Sequence, residues 1–352
     1  MSYPHSLIHA SADAIAGWER AGPLADDDPQ ARVVLLSPEL PAGGAAEAIP
    51  SWAADTPAGS WVELQLRARR DGRWSRFYRL ARWDSAAADS RRTSFDRQDD
   101  DDGQVATDTL LIAGPAEALQ ARVLLCAEPG ADMPDLERLT ICLSHEAPAP
   151  AAAAGAPPPS SIDMPLLLSQ YAYDAGAGWC SPTAVAMSLG YWRARTGDAR
   201  LAPFDGPGCV PELAAPQIYD PAWGGTGNWS FNVAFAAARG LVAYVTRLHS
   251  LEQLARWTAA GVPVVISLAW QEGQIDGAPS ATAGHLTLVT GFEAGRALIA
   301  EPAGRGGPEA IRRAYPADQL YAAWQERSAG TVYLIYPAGW PTPAPGPGDA
   351  WI

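Results

Sequence analysis

The chain has 352 residues, of which 48% are hydrophobic, enough to bury a core and to exclude wholesale disorder. Net charge is −14 and all 25 basic residues are arginine, so bulk charge offers no footprint for nucleic acid and disfavours anionic membrane surfaces. At ~100–200 residues per domain the length suggests two domains, and 33 Gly with 32 Pro point to many turns.

Residues 1–30 form an acidic, amphipathic N-terminal segment, in which His5 and His9 read as part of a loose tail. The segment lacks the charged start and apolar run of a signal peptide, and no stretch approaches ~18 uninterrupted apolar residues. The expectation is a cytoplasmic protein with no membrane span. The four cysteines, Cys126, Cys142, Cys180 and Cys209, fit neither a disulfide scaffold nor a zinc pattern. Cys126 and Cys142 lie in apolar runs and read as buried thiols. No cofactor or metal is expected.

Residues 31–146 read as an all-β sandwich. Val62, Leu64, Leu66 and Ala68 alternate with Glu63, Gln65, Arg67 and Arg69, the period of a strand. Asp71-Gly72 offers a tight hairpin turn, and Trp74, Tyr78 and Leu80 continue on the returning strand. Further apolar runs lie at 105–113, 121–127 and 138–144. The tryptophans of this half read as core. The run Asp99–Asp102 reads as a solvated turn rather than a calcium loop. Residues 147–160, APAPAAAAGAPPPS, read as a stiff linker.

Residues 161–340 read as α+β, helices packed on an antiparallel sheet, followed by a tail at 341–352. The spacing of Val185, Leu189 and Trp192 predicts a helix starting near Ser181, with Pro182 in its first turn. A second helix is expected over 229–239, closed by Gly240. A third begins at Ser250, where Gln253 completes a capping box. Strands are expected at 263–269, 285–292, 296–301 and 331–336, with a helix at 316–326. The stretch 220–232 (DPAWGGTGNWSFN) lacks the Gly-Lys-Ser/Thr of a phosphate loop. It lines a cleft or caps the next helix through Asn228.

Cys180, at a helix start, feels the positive end of the helix dipole and free N–H groups, which favour thiolate. Of the five histidines, His285 alone begins an apolar strand, and a strand-borne imidazole can take the thiol proton. Glu301 ends the next strand. If a three-residue turn over 293–295 joins the two strands, position 301 opposes 287 and shares a face with 285. A carboxylate there can orient the imidazole. Gln170 and the Cys180 backbone N–H are candidate donors to an oxyanion.

The segment LSQYAYDAGAGWCSPTAVAMSLGYW (168–192) resembles the nucleophile segment of papain-clan cysteine peptidases, nearest to the bacteriocin-leader peptidases of family 39 and their stand-alone relatives. GHLTLVTGFEAGRALIAEPA (284–303) resembles that family's Gly-His strand and the strand after it. GGTGNWSFNVAFAAARGL (224–241) is similar to its intervening segment, and SWAADTPAGSWVELQLRAR (51–69) to the β-rich domain that precedes it. The resemblance implies a papain-like fold over about 161–337, with Cys180 as nucleophile, His285 as general base and acid, and Gln170 as oxyanion donor. Glu301 stands where the family has Asp. The implied activity is hydrolysis of a peptide or amide bond in a peptide or protein substrate, through a thioester. Acyl transfer to an amine on the same site, or peptide binding without turnover, are the alternatives. The chain has no transporter segment, so an exporter role does not carry over.

Overall fold

The computed structural model describes residues 4–86, 91–145 and 157–352. The stretch 147–160 lies outside the described residues up to 156. Ser160 and Ser161 already pair with Phe292 and Gly291 in the second sheet.

Residues 5–145 build one 12-stranded antiparallel sheet. The half is all-β as expected, its strands joined by hydrogen bonds into one sheet. The strands Leu40–Asp55 and Thr109–Ala127 have 16 and 19 residues, long enough to bend and serve two parts of the sheet. Leu40–Asp55 bends at Gly43-Gly44 (φ 59° and 88°), and Gly114 (φ 123°) bends its neighbour. These are left-handed conformations that a side chain would strain. Beyond the bends, Thr109–Ala127 pairs with Ser60–Arg70 along one edge and Ala31–Leu36 along the other. Asp71-Gly72 makes the anticipated two-residue turn, with Arg70 opposite Arg73 and positive φ at both turn residues.

The first residues are not a loose tail. His5–Ser11 is a strand on Asp135–His145, with His5 opposite Ser144. His5 is buried and bonds the Ser144 hydroxyl at 3.1 Å. The acidic run is answered by arginines: Asp100 pairs with Arg76 and bonds the Tyr78 hydroxyl, and Asp102 pairs with Arg73 and Arg70. Trp52, Trp61 and Trp83 are core residues, and Cys126 and Cys142 are free, buried thiols.

The second sheet is also antiparallel. Its order is Leu241–Arg247, Thr331–Pro337, Val264–Trp270, Thr282–Glu293, Arg296–Ala300 and Arg312–Pro316. The helix Cys180–Thr196 packs on Thr282–Glu293. Its residues from Cys180 to Trp192 are all buried, so it carries no wet stripe and runs through the core. The helices Trp229–Ala237, Leu251–Ala259 and Ala317–Ser328 lie within two or three residues of expectation. Ser250 caps Gln253 as anticipated, its hydroxyl accepting from the Gln253 N–H. The segment read as a tail packs back: Asp349 pairs with Arg256, and Trp351 is buried against Trp257.

The two halves share one apolar core. Phe231, on the helix Trp229–Ala237, sits between Trp52 and Trp83 of the first sheet, with ring centroids 6.2 and 5.3 Å away. Around it, Ser230 Oγ donates to the Pro50 carbonyl at 2.6 Å, and the Ser94 N–H donates to Asp220 at 3.1 Å. Val245 N–H donates to Ser51 Oγ at 3.0 Å.

Candidate active site

Cys180 is the first residue of its helix, after Gly178 (φ 88°) and Trp179. The first-turn N–H groups of a helix have no intrahelical partner, so they are free for a ligand oxygen. Thr226 Oγ1 donates to the Gly178 carbonyl at 2.9 Å and ties the loop at 220–228 to the approach to Cys180.

His285 stands on Thr282–Glu293, opposite Leu268 of the neighbouring strand. On the other side, Glu293 pairs with Arg296 across a two-residue turn, Ala294-Gly295, not the three-residue turn expected. That turn alone would have slipped Glu301 to the wrong face. A register shift between Val289 and Gly291 takes up one residue, so Leu288 opposes Ala300. The next pair is Thr287 and Glu301, the alignment expected, reached by another route.

His285 Nε2 and Glu301 Oε1 lie 2.5 Å apart, which leaves Nδ1 for the thiol. Glu301 is fully buried, and every oxygen is used. Oε1 also accepts from the Ala303 N–H at 2.9 Å, and Oε2 accepts from Tyr315 Oη at 3.0 Å and Thr287 Oγ1 at 3.3 Å. The Trp270 ring stands edge-on to the imidazole, centroids 5.3 Å apart, and helps keep the pair dry.

The electrostatics follow from these contacts. Burial acts to raise the Cys180 pKa, and Glu301 adds to that. The hydrogen bond and charge of His285 and the Leu286 N–H outweigh both, and the thiol is lowered below its ordinary value. Burial acts to lower the His285 pKa, but Glu301 and the sulfur raise it well above the usual imidazole range. Glu301 is held below the ordinary carboxylate range: His285, the Ala303 N–H and Tyr315 overcome its burial. All three shifts favour the thiolate–imidazolium–carboxylate form of the site over the neutral one. Burial instead raises Cys126, Cys142 and Cys209, the last to about 11.

Gln170 is buried in a short 3₁₀ turn, Gln170–Ala172. Its N–H donates to the Pro302 carbonyl at 2.8 Å, and Ser169 Oγ donates to the Gly304 carbonyl at 2.5 Å. The turn is thus pinned just past Glu301. Gln170 Oε1 is buried with no partner, and the residue is not part of the cleft wall.

Cys180 and His285 line a cleft of about 610 Å³. Its other walls come from both halves of the chain: Thr107, Asp108 and Leu111 from the first sheet, Trp223 and Trp229 from the second half. Thr107-Asp108 is the tip of a hairpin in which Ala106 opposes Thr109, with Thr107 at φ 56°. Asp108 Oδ2 accepts from the Trp229 N–H at 2.6 Å, and burial raises its carboxyl to about 6 despite that bond. Asn228 caps the same helix, its side chain accepting from the Phe231 N–H at 3.1 Å. Both readings of the stretch 220–232 thus hold together. Tyr315, Thr287, Trp270 and the hairpin at 106–109 escaped the sequence reading; only Thr287 carried a signal, its register opposite 301.

Two family models match the chain: a peptidase C39 N-terminal domain over residues 25–144, and a peptidase C39 like family over residues 162–332. No curated protein matches. A crystal structure described as that of a C39-like peptidase from Bacillus anthracis aligns over 50% of this chain and 97% of its own, at 15% identity and a TM-score of 0.34. That likeness is too loose to carry an argument.

Proposed function

We propose that this chain, whose residues 162–332 match the peptidase C39 like family, is a cysteine peptidase built on a papain-like domain. In this reading residues 161–340 hold the chemistry, and residues 31–146 form an accessory domain that supplies one wall of the cleft. The observation that carries it is the His285–Glu301 pair at 2.5 Å, with His285 and Cys180 lining one cleft.

The Cys180 thiolate attacks the carbonyl carbon of the scissile amide. The C–S bond forms and the carbonyl π electrons pass to oxygen. The Cys180 backbone N–H holds this oxyanion, and Gln170, although not in the cleft wall, is the second donor that the resemblance implies. As it collapses, the C–N bond breaks and the His285 imidazolium gives its proton to the departing amine. Water then attacks the thioester, its proton passing to His285. The acid product leaves and the thiolate returns. Glu301 holds Nε2 throughout, so the ring presents Nδ1 to sulfur and substrate; it is neutral in the thioester, between giving its proton to the amine and taking one from water, and positively charged in the resting site. The substrate is a peptide or protein.

Iodoacetamide tests the premise. Cys180 is expected to alkylate at least about tenfold faster than Cys126, Cys142 or Cys209 in the native protein at about pH 7, as mapped by mass spectrometry. His285→Ala should remove most of that advantage. Equal labelling of all four thiols would refute a thiol peptidase.

A further inference from the structure

Five large hydrophobic side chains are exposed among the described residues: Leu24, Met133, Tyr171, Tyr219 and Trp223. Of these, only Trp223 lines the cleft that holds Cys180, and half of its surface is open to solvent. An exposed indole in a loop is not unusual. The bed beneath this one is. A Cβ on Gly225 would fall 2.7 Å from the Trp223 ring, and one on Gly227 would fall 2.6 Å from it. Neither glycine has a positive φ, so the backbone conformation does not require them. A side chain at either position would displace the six-membered ring, which packs over both glycines.

The bed itself is held from several sides. Asp220 is fully buried and closes the turn: its N–H donates to the Gly225 carbonyl at 2.8 Å, and its carboxylate accepts from the Asn228 amide at 2.9 Å. The Thr226 bond to the Gly178 carbonyl fixes the loop against the segment that leads into Cys180. Ala106 and Leu111 add apolar wall, and Gly178 and Gly227 leave room where side chains would stand.

We propose that Trp223 is a specificity-determining platform of the cleft, and that it stacks an aromatic side chain of the substrate peptide close to the scissile bond. An exposed indole face packed over two glycines offers an aromatic ring offset stacking as well as burial, which a branched aliphatic chain gains only in part. The assignment deepens the peptidase reading and rests on it for the identity of the ligand as a peptide.

The test uses the full chain and internally quenched peptides that differ only in the residues flanking a single cleavable bond, with Phe, Trp, Leu, Ala or Asp in turn. Wild type is expected to show kcat/KM about tenfold higher for Phe or Trp than for Ala at one flanking position. In Trp223→Ala the ratio should fall to within about twofold of one. Gly227→Ala, whose new Cβ pushes the indole off its bed, should lower the ratio in the same direction. Tyr219→Ala, an exposed aromatic away from the cleft, should keep the wild-type ratio. Thermal melts of each variant report folding.

A ratio that survives Trp223→Ala, or a fall that is equal for every peptide, overturns the platform. If wild type cleaves none of the peptides, it is the peptidase reading that fails. The platform is then judged by calorimetric binding of the same peptides to Cys180→Ala protein. Tighter binding of the Phe peptide that is lost on adding Trp223→Ala supports it, and equal or absent binding overturns it.

Discussion

Glu301 reaches His285 across two neighbouring strands, Oε1 to Nε2 at 2.5 Å, although its side chain is one methylene longer than the aspartate that the resemblance implies for this place. The extra length is taken up by a fixed geometry. Each carboxylate oxygen has two donors, from Ala303, Tyr315, Thr287 and the imidazole itself. The residue is therefore built in as a glutamate.

Shortening or neutralising it should damage the site in different ways. Glu301→Asp is expected to lower kcat/KM by about 100-fold, the scale of an ångström of misplacement. Glu301→Gln keeps a side-chain acceptor but loses the charge that raises His285. The imidazolium then deprotonates at lower pH, so the alkaline limb of the kcat/KM profile should move down. Full activity in Glu301→Asp would show that the extra methylene is not built in, and full activity in Glu301→Gln would remove the carboxylate from the orienting role.

Tyr315→Phe removes one donor to Glu301 and leaves the others. A buried hydrogen bond to a charged group is worth about 1.5–3 kcal/mol, and urea unfolding at neutral pH should show a loss of that order. Tyr315 contributes to the lowered pKa of Glu301, whose ordinary value is 4.5. That contribution is present above this value and lost as pH falls through the folded pKa. The gap between wild type and variant should therefore narrow under acid. A gap independent of pH would mean the hydroxyl acts through something other than the carboxylate.

Asp108 runs the other way. Burial raises its carboxyl from 3.8 to about 6, so the folded protein binds this proton more tightly than the unfolded chain. Above about pH 6 the buried charge weighs against folding, and below 3.8 both states are neutral and the penalty is gone. Asp108→Asn keeps an acceptor for the Trp229 N–H. It should be more stable than wild type by ~2–3 kcal/mol at about pH 8 and equal to it near about pH 3.5. Denaturant curves at the two pH values check this, and an Asp108→Asn protein less stable than wild type under the alkaline condition would contradict it.

Phe231→Ala opens a cavity between Trp52 and Trp83, at an expected ~3–5 kcal/mol. Since the ring joins cores from both sheets, the loss should be felt in one cooperative transition. Tryptophan fluorescence and far-UV circular dichroism should give coincident curves. Two separated transitions would show that the halves unfold independently.

The second half is largely legible because its elements carry local signals. Pro182 and the Val185–Leu189–Trp192 spacing mark the helix that begins at Cys180, Ser250 and Gln253 mark a cap, and apolar runs mark four strands. What escapes is non-local. A three-residue turn is one way to put His285 and Glu301 on a shared face, whereas the chain uses a two-residue turn and a register shift that offset one another. No local pattern announces such a shift. His5 is buried because its strand pairs with one 139 residues away, and Tyr315 matters only because folding brings its hydroxyl to Glu301. The long strands that bend at Gly43-Gly44 and Gly114 join the whole β-rich half into one hydrogen-bonded sheet. Hydrophobic alternation gives the period of a strand but does not tell which strands it will join.

The hairpin at 106–109 takes no part in bond breaking, yet it stands in the wall beside the sulfur. On the proposed reading, the groups that break the bond and part of the wall that meets the substrate come from stretches of sequence that lie far apart. Substitutions at the tip of that hairpin would then redraw which chains are admitted while leaving the acid, base and nucleophile untouched.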